Sequence, residues 1–128
     1  MDLKLGRTYT REALSDALGG SQQAYLPRQG AKVLYAAVTR ESNPEAPRVI
    51  LAGDGPEIAE SARLFAQQSQ AVPVFIKQEV NAWEFVGSYR VRSSSENPTV
   101  LEEYRRRSGR EDRLTRVLFL EMVGIKSE

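Results

Sequence analysis

The pattern of segments predicts an α+β fold: a small, twisted, mostly antiparallel sheet or open barrel flanked by short helices. Three observations point there. At least five strand-like segments accompany three short helix-like ones. Their order (helix, strand, strand, helix, strand, strand, helix, strand) does not alternate as a doubly wound sheet requires. The stretch 72–93, "VPVFIKQEVNAWEFVGSYRVRS", reads as a hairpin. At 128 residues, 1–128 form a single domain, long enough to bury a core without staples.

The elements follow in order. "TREALSDALGG" begins with Thr10, whose hydroxyl can accept from the free N–H groups of a helix start. Ala13, Leu14, Ala17 and Leu18 give this helix an apolar stripe, and Gly19 and Gly20 stop it. "SQQAYLPRQG" reads as loop. "KVLYAAV" is a strand so uniformly apolar that a central place in the sheet is expected. "TRESNPEAPR", with two prolines and mixed charge, is an exposed connection. "RVILAG" is a second strand. In "DGPEIAESARLFAQQSQ", Pro56 suits a first helical turn, and Ile58, Ala62 and Phe65 share one face. The hairpin comes next, turning at Asn81 and Ala82. A third helix starts near Pro98 and ends at Gly109. The last strand, 115–123, points Val117, Phe119 and Glu121 one way and Leu118, Leu120 and Met122 the other.

Composition narrows the chemistry. Hydrophobic residues make up 41% and charged residues 27%, ordinary for a globular protein. The formal net charge is +1, so any anion binding must come from a local patch. Cysteine is absent, which removes disulfides, thiolate metal sites and thiol nucleophiles. Histidine is absent too, and with it the commonest general base and metal ligand. No local catalytic constellation stands out, so no enzyme activity and no cofactor are expected. No apolar run approaches the roughly 20 residues of a membrane span. The chain begins without an apolar leader, and a cytoplasmic location is expected.

Four stretches carry chemistry. In the hairpin, period-two counting places Trp83, Phe85, Gly87 and Tyr89 on one face and Glu84, Arg90 and Arg92 on the other. The rings either fill a core or form a pocket wall, with Gly87 leaving room for a flat ligand. "LAGDGPEIAE" ends a strand and opens a helix through Gly53, Asp54 and Gly55. Asp54 is a helix cap or a carboxylate that reads the amino edge of a ligand. It is neither a P-loop nor a dinucleotide fingerprint. In "GRTYTREAL", Arg7, Tyr9 and Arg11 suit phosphate contact and stacking, or a solvated helix start. "EEYRRRSGREDRLTR" is the strongest basic patch. Arg105, Arg106 and Arg107 there contact phosphate or balance Glu102 and Glu103 within the helix.

Taken together, "LGRTYTREALSDALGG", "VILAGDGP" and "PVFIKQEVNAWEFVGSYRV" resemble, in order and spacing, small domains of bacterial modification-dependent restriction endonucleases. These domains belong to the PUA-like group, with the SRA and EVE readers of modified bases. The resemblance spans roughly residues 5 to 123. Here the glycine-rich segment "ILAGDGPEIAES" lacks the tyrosine and the Asp-Gln pair of the family pattern. The resemblance implies a bent, partly closed sheet with a concave face and a flipped base as ligand. On that basis Trp83, Phe85 and Tyr89, with Tyr25 or Tyr35 opposite, would stack on the base. Asp54 would read its edge. Arg7, Arg11, Arg90, Arg92 and the run Arg105, Arg106 and Arg107 would hold phosphates.

The expected function is therefore a nucleic-acid reader module, with DNA favoured over RNA. A net charge of +1 suggests modest affinity, and so a place beside a nuclease or other effector subunit. Two alternatives remain at this stage. One is a protein-interaction or regulatory module that uses the aromatic and arginine surface. The other is a small-molecule or nucleotide-binding enzyme using Asp54 or Glu84.

Overall fold

The structure, a computed structural model, describes residues 1–124. Strand β1 (Thr8–Tyr9) leads into helix α1 (Arg11–Leu18). A small ribbon follows, β2 (Arg28–Gln29) and β3 (Lys32–Val33), then β4 (Ala36–Val38) and β5 (Val49–Gly53). Helix α2 (Pro56–Gln67) precedes the long hairpin of β6 (Val72–Glu79) and β7 (Ala82–Ser95). Helix α3 (Pro98–Ser108) and β8 (Leu114–Met122) complete the order. The class is α+β, as the segment order predicts. The main sheet runs β4-β6-β7-β8-β5, with β1 added on β7. β4 runs parallel to β6, and the other pairings are antiparallel.

The helix signals act where the sequence places them. The Thr10 hydroxyl accepts from Ala13 N–H at 3.0 Å and starts α1. Asn97 caps α3, its Oδ1 accepting from Thr99 N–H at 2.9 Å, and Gly109 ends it in the left-handed region. α2 differs. Its N-cap is Gly55, without a side-chain bond, so Asp54 is not the cap.

Alternation along the strands divides the core between the two faces of the sheet. Val72, Val74 and Ile76 of β6 point to one face. There they pack with Ala36, Val38, Ile50, Leu118 and Leu120, under Ala62 and Phe65 of α2. The other face is shared. Leu14 of α1 packs there with Tyr35, Ala37, Phe75, Trp83 and Phe85. Towards its far end, Val49, Leu51 and Val117 pack against Val100, Leu101 and Tyr104 of α3. Each fully buried Leu, Ile or Phe contributes about 1.5–3 kcal/mol.

Two expectations are corrected. "KVLYAAV" is not one central strand. It divides into β3 and β4, and β4 lies at the sheet edge. It reads as central because both of its faces are covered and its outer edge is occupied. Ala37 N–H donates to the Tyr25 carbonyl at 2.8 Å. The second correction concerns the hairpin. Val74 pairs with Gly87 but Phe75 pairs with Phe85, so Val86 is an extra residue in β7. Directly opposed residues share a face, so Phe85 goes with Phe75 while Tyr89 goes with Val72. The bulge therefore sends Phe85 and Tyr89 to opposite faces. Gly87 permits it, with φ at +127°, a conformation L side chains rarely adopt.

Candidate functional site

The aromatic residues of the hairpin are core residues. Trp83 and Phe85 are 8% exposed and Tyr89 is 7% exposed. Phe75 ties the first cluster together. Its ring lies 5.6 Å from Phe85 and 5.7 Å, edge to face, from Tyr35. Tyr35 is fully buried. Burial pushes the Tyr89 phenol above its ordinary range. Of the two readings left open, packing is what these rings do here. Trp83, Phe85, Tyr89 and Tyr35 are not gathered around an open pocket. Tyr25, the other expected stacking partner, spends its hydroxyl on the Leu51 carbonyl at 2.6 Å.

Arg11 also lies in the core, although it was expected to contact phosphate. Its Nη2 donates to the carbonyls of Ala24 at 2.7 Å and Ser21 at 3.1 Å. Its guanidinium sits over the rings of Trp83 and Tyr35, 5.1 and 5.6 Å from their centroids. The charge is thus spread over carbonyl dipoles and ring faces, with no carboxylate beside it among the described residues. Its Nε is buried without a hydrogen-bond partner among the described residues. The backbone N–H of Arg11 donates to Asn81 Oδ1 at 3.0 Å, which ties α1 to the tip of the hairpin. Tyr9 packs edge to face on Phe75, and its hydroxyl accepts from Lys4 N–H. Arg7 is exposed. Its main chain is bonded to Phe85, and no carboxylate lies within ion-pair distance of its side chain among the described residues.

At the end of β5, Asp54 is exposed and makes no side-chain hydrogen bond among the described residues. The polar network at this turn belongs to other residues. Arg110 donates to both oxygens of Asp112, at 2.9 and 2.6 Å, and to the carbonyls of Ser42 and Leu51. Asp112 raises the Arg110 pKa, and Arg110 in turn lowers that of Asp112. A Cβ on Gly53 would lie 2.8 Å from Asp112 Oδ2, so glycine is what lets the pair settle on the strand.

The basic run of α3 is balanced locally, in line with the alternative the sequence left open. Arg105 and Arg106 share Glu102, and Arg107 bridges Glu45 at 2.7 Å and Glu103 at 3.2 Å. Hydrogen bonds from Arg105 and Arg106 hold the Glu102 carboxyl down at about 2. Arg90 pairs with Glu121.

Sequence reasoning missed the cleft between α3 and the sheet. It measures 330 Å³, and its walls include Arg48, Arg92, Glu45, Tyr104 and Phe119. Arg48 and Arg92 are exposed and have no carboxylate within 4.0 Å among the described residues. Alternation puts Phe119 on the same side of its strand as Val117. The distance in sequence between Arg48 and Arg92 hid their meeting. Among the described residues, no cluster of acidic side chains could hold a metal ion, and no helix is long and apolar enough to cross a membrane.

The model of a family described as a domain of unknown function, DUF6697, matches residues 8–115. The chain belongs to this family. Its fold is also found in solved structures. An SRA domain, that of SUVH5 in complex with hemimethylated CG DNA, superposes with a TM-score of 0.67. The match covers 100% of this chain and 94% of that one at 13% identity. The Type IV phosphorothioation-dependent restriction endonuclease ScoMcrA matches with a TM-score of 0.58 and 19% identity. It covers 98% of this chain but 29% of the endonuclease chain. At these identities the likeness is one of fold, and this DUF6697 domain is SRA-like in architecture. No curated protein matches it in sequence.

Proposed function

We propose that this domain is a nucleic-acid reader that recognises a modified or flipped base, in DNA rather than RNA, and works beside a nuclease or other effector. One observation carries the reading. The fold corresponds, over nearly the full length of both chains, to an SRA domain solved with hemimethylated CG DNA. Reading a base out of the stack requires phosphate contacts to hold the strand and a polar group for the base edge. Arg7 and Arg92 offer exposed guanidinium groups for the first, joined by Arg90 if Glu121 yields it. Asp54 offers an unengaged carboxylate for the second. In this reading Trp83 and Phe85 are the rigid backing of the hairpin and not the stacking surface.

Fluorescence anisotropy tests it. Hemimethylated, unmodified and phosphorothioated duplexes and single-stranded DNA are titrated at about 50 mM salt, where phosphate contacts are strong. Binding that differs between modified and unmodified duplexes is the expected result. Failure to bind every one of them would refute the reading. A second reading, a protein-interaction module, has one observation in its favour. Leu5, Met122 and Val123 are exposed, and the ends of Leu5 and Met122 both lie beside Gly87. A partner recovered with this domain at high salt and after nuclease treatment would favour that reading.

A further inference from the structure

We infer that the cleft between α3 and the sheet is a phosphate-binding site in which Arg48 and Arg92 are the ligating side chains. The inference deepens the reader function and rests on it for the source of the phosphate. Among the described residues, eight of the fourteen arginines face a carboxylate, and Arg48 and Arg92 are among the six that do not. Both line one cleft of 330 Å³. Among the described residues the one carboxylate in its wall, Glu45, is already taken by Arg107 at 2.7 Å, so the cleft keeps an excess of positive charge.

Arg92 is also held in place, which lowers the entropy cost of binding. Arg92 is the unpaired residue of a second bulge in β7, because Val91 pairs with Leu120 while Ser93 pairs with Phe119. A bulge re-aims its side chain. Here the guanidinium is carried over the Phe119 ring, 5.9 Å from its centroid. Phe119 is fixed in turn by the edge of Tyr104, with ring centroids 5.6 Å apart. The main chain of Arg48 is pinned at both polar groups. Its N–H donates to the Glu45 carbonyl, and its own carbonyl accepts from Leu120 N–H at 2.8 Å. A guanidinium presents a planar fork that matches two oxygens of a phosphate. Two such forks on one cleft suit a tetrahedral anion better than a carboxylate. The phosphate is either part of a nucleic-acid backbone or a free phosphate group.

The test uses the full chain and the variants Arg48→Gln and Arg92→Gln, with Arg63→Gln as a control. Arg63 is paired with Glu60 on α2, across the sheet from the cleft. Both cleft residues are exposed, and thermal melts verify that the variants fold. Anisotropy with a duplex is recorded from about 50 to about 200 mM salt. Each cleft variant is expected to reduce the loss of affinity over that range by roughly 3-fold, the signature of one phosphate contact removed. The control leaves it unchanged. In parallel, the arginine side-chain N–H signals of the wild type are followed by NMR as inorganic phosphate is added. Duplex binding with unchanged salt dependence in both cleft variants overturns the inference and leaves the reader function standing. No duplex binding, but phosphate-dependent shifts at Arg48 and Arg92, supports the site with free phosphate as its source and overturns the reader function. Neither response overturns both.

Discussion

Gly87 sets the bend in the longer strand of the hairpin. Its φ of +127° bends β7 at the bulge, and a Cβ there would lie 2.8 Å from Met122 Cε and 3.3 Å from Tyr89 Cε1. The Met122 end can swing away, but the backbone cannot. Gly87→Ala is therefore expected to cost about 1–3 kcal/mol in urea unfolding, as strained residues do. A second residue-scale prediction concerns the join between loop and sheet. Asn43 is buried, and its Oδ1 accepts from Leu51 N–H at 2.8 Å while its Nδ2 donates to the Tyr25 hydroxyl. Asn43→Ala orphans a buried N–H and should cost about 1–3 kcal/mol, whereas Tyr25→Phe should cost about 0.5–1.5 kcal/mol. Equal losses in the two unfolding curves would contradict this ranking. At this scale the sequence was legible for caps such as Thr10 and Asn97, where one side chain does one local job. It was not legible for Arg11, because nothing in a charge pattern says that carbonyls and rings will solvate a buried cation.

At the scale of elements, α3 is an ion-pair helix on the surface. Glu102 accepts from both Arg105 and Arg106, which lowers its carboxyl from 4.5 to about 2. A depressed carboxyl contributes stability that is fully present above its unfolded value and lost as pH falls through its folded one. The contribution of Glu102 is thus intact above about 4.5 and fades between there and about 2. NMR titration should find its midpoint well below those of unpaired glutamates, and α3 should begin to fray in that window. A Glu102 midpoint near 4.5 would remove the pairing. Helices and strands were legible as elements because their periods are local. Their neighbours were not. "KVLYAAV" looks central because a strand covered on every side has the same apolar composition wherever it lies. Counting by two along β7 failed at Val86, since one extra residue reverses the faces that follow it, up to the second bulge at Arg92.

At the scale of the molecule, the N-terminal half braces both ends of the sheet. The Tyr25 carbonyl accepts from β4, and its hydroxyl donates to β5. One loop thus links the two edge strands across an otherwise open sheet, which protects those edges from pairing with other chains. The net charge of +1 conceals an uneven surface. Arginines are neutralised along α3 and α2, whereas Arg48 and Arg92 at the α3 cleft have no ion pair among the described residues. The candidate basic residues could be picked from the sequence. Which of them remain free could not, because the pairing partners Glu45, Glu96 and Glu121 are distant in sequence.

The most direct test of the reader function is the salt dependence of duplex binding by the wild-type domain. A plot of log affinity against log salt should be linear and negative, falling by about 0.9 for each phosphate contact, with tighter binding to a modified duplex at every salt concentration. Absence of binding at about 50 mM salt, or binding that ignores both salt and modification, would contradict it.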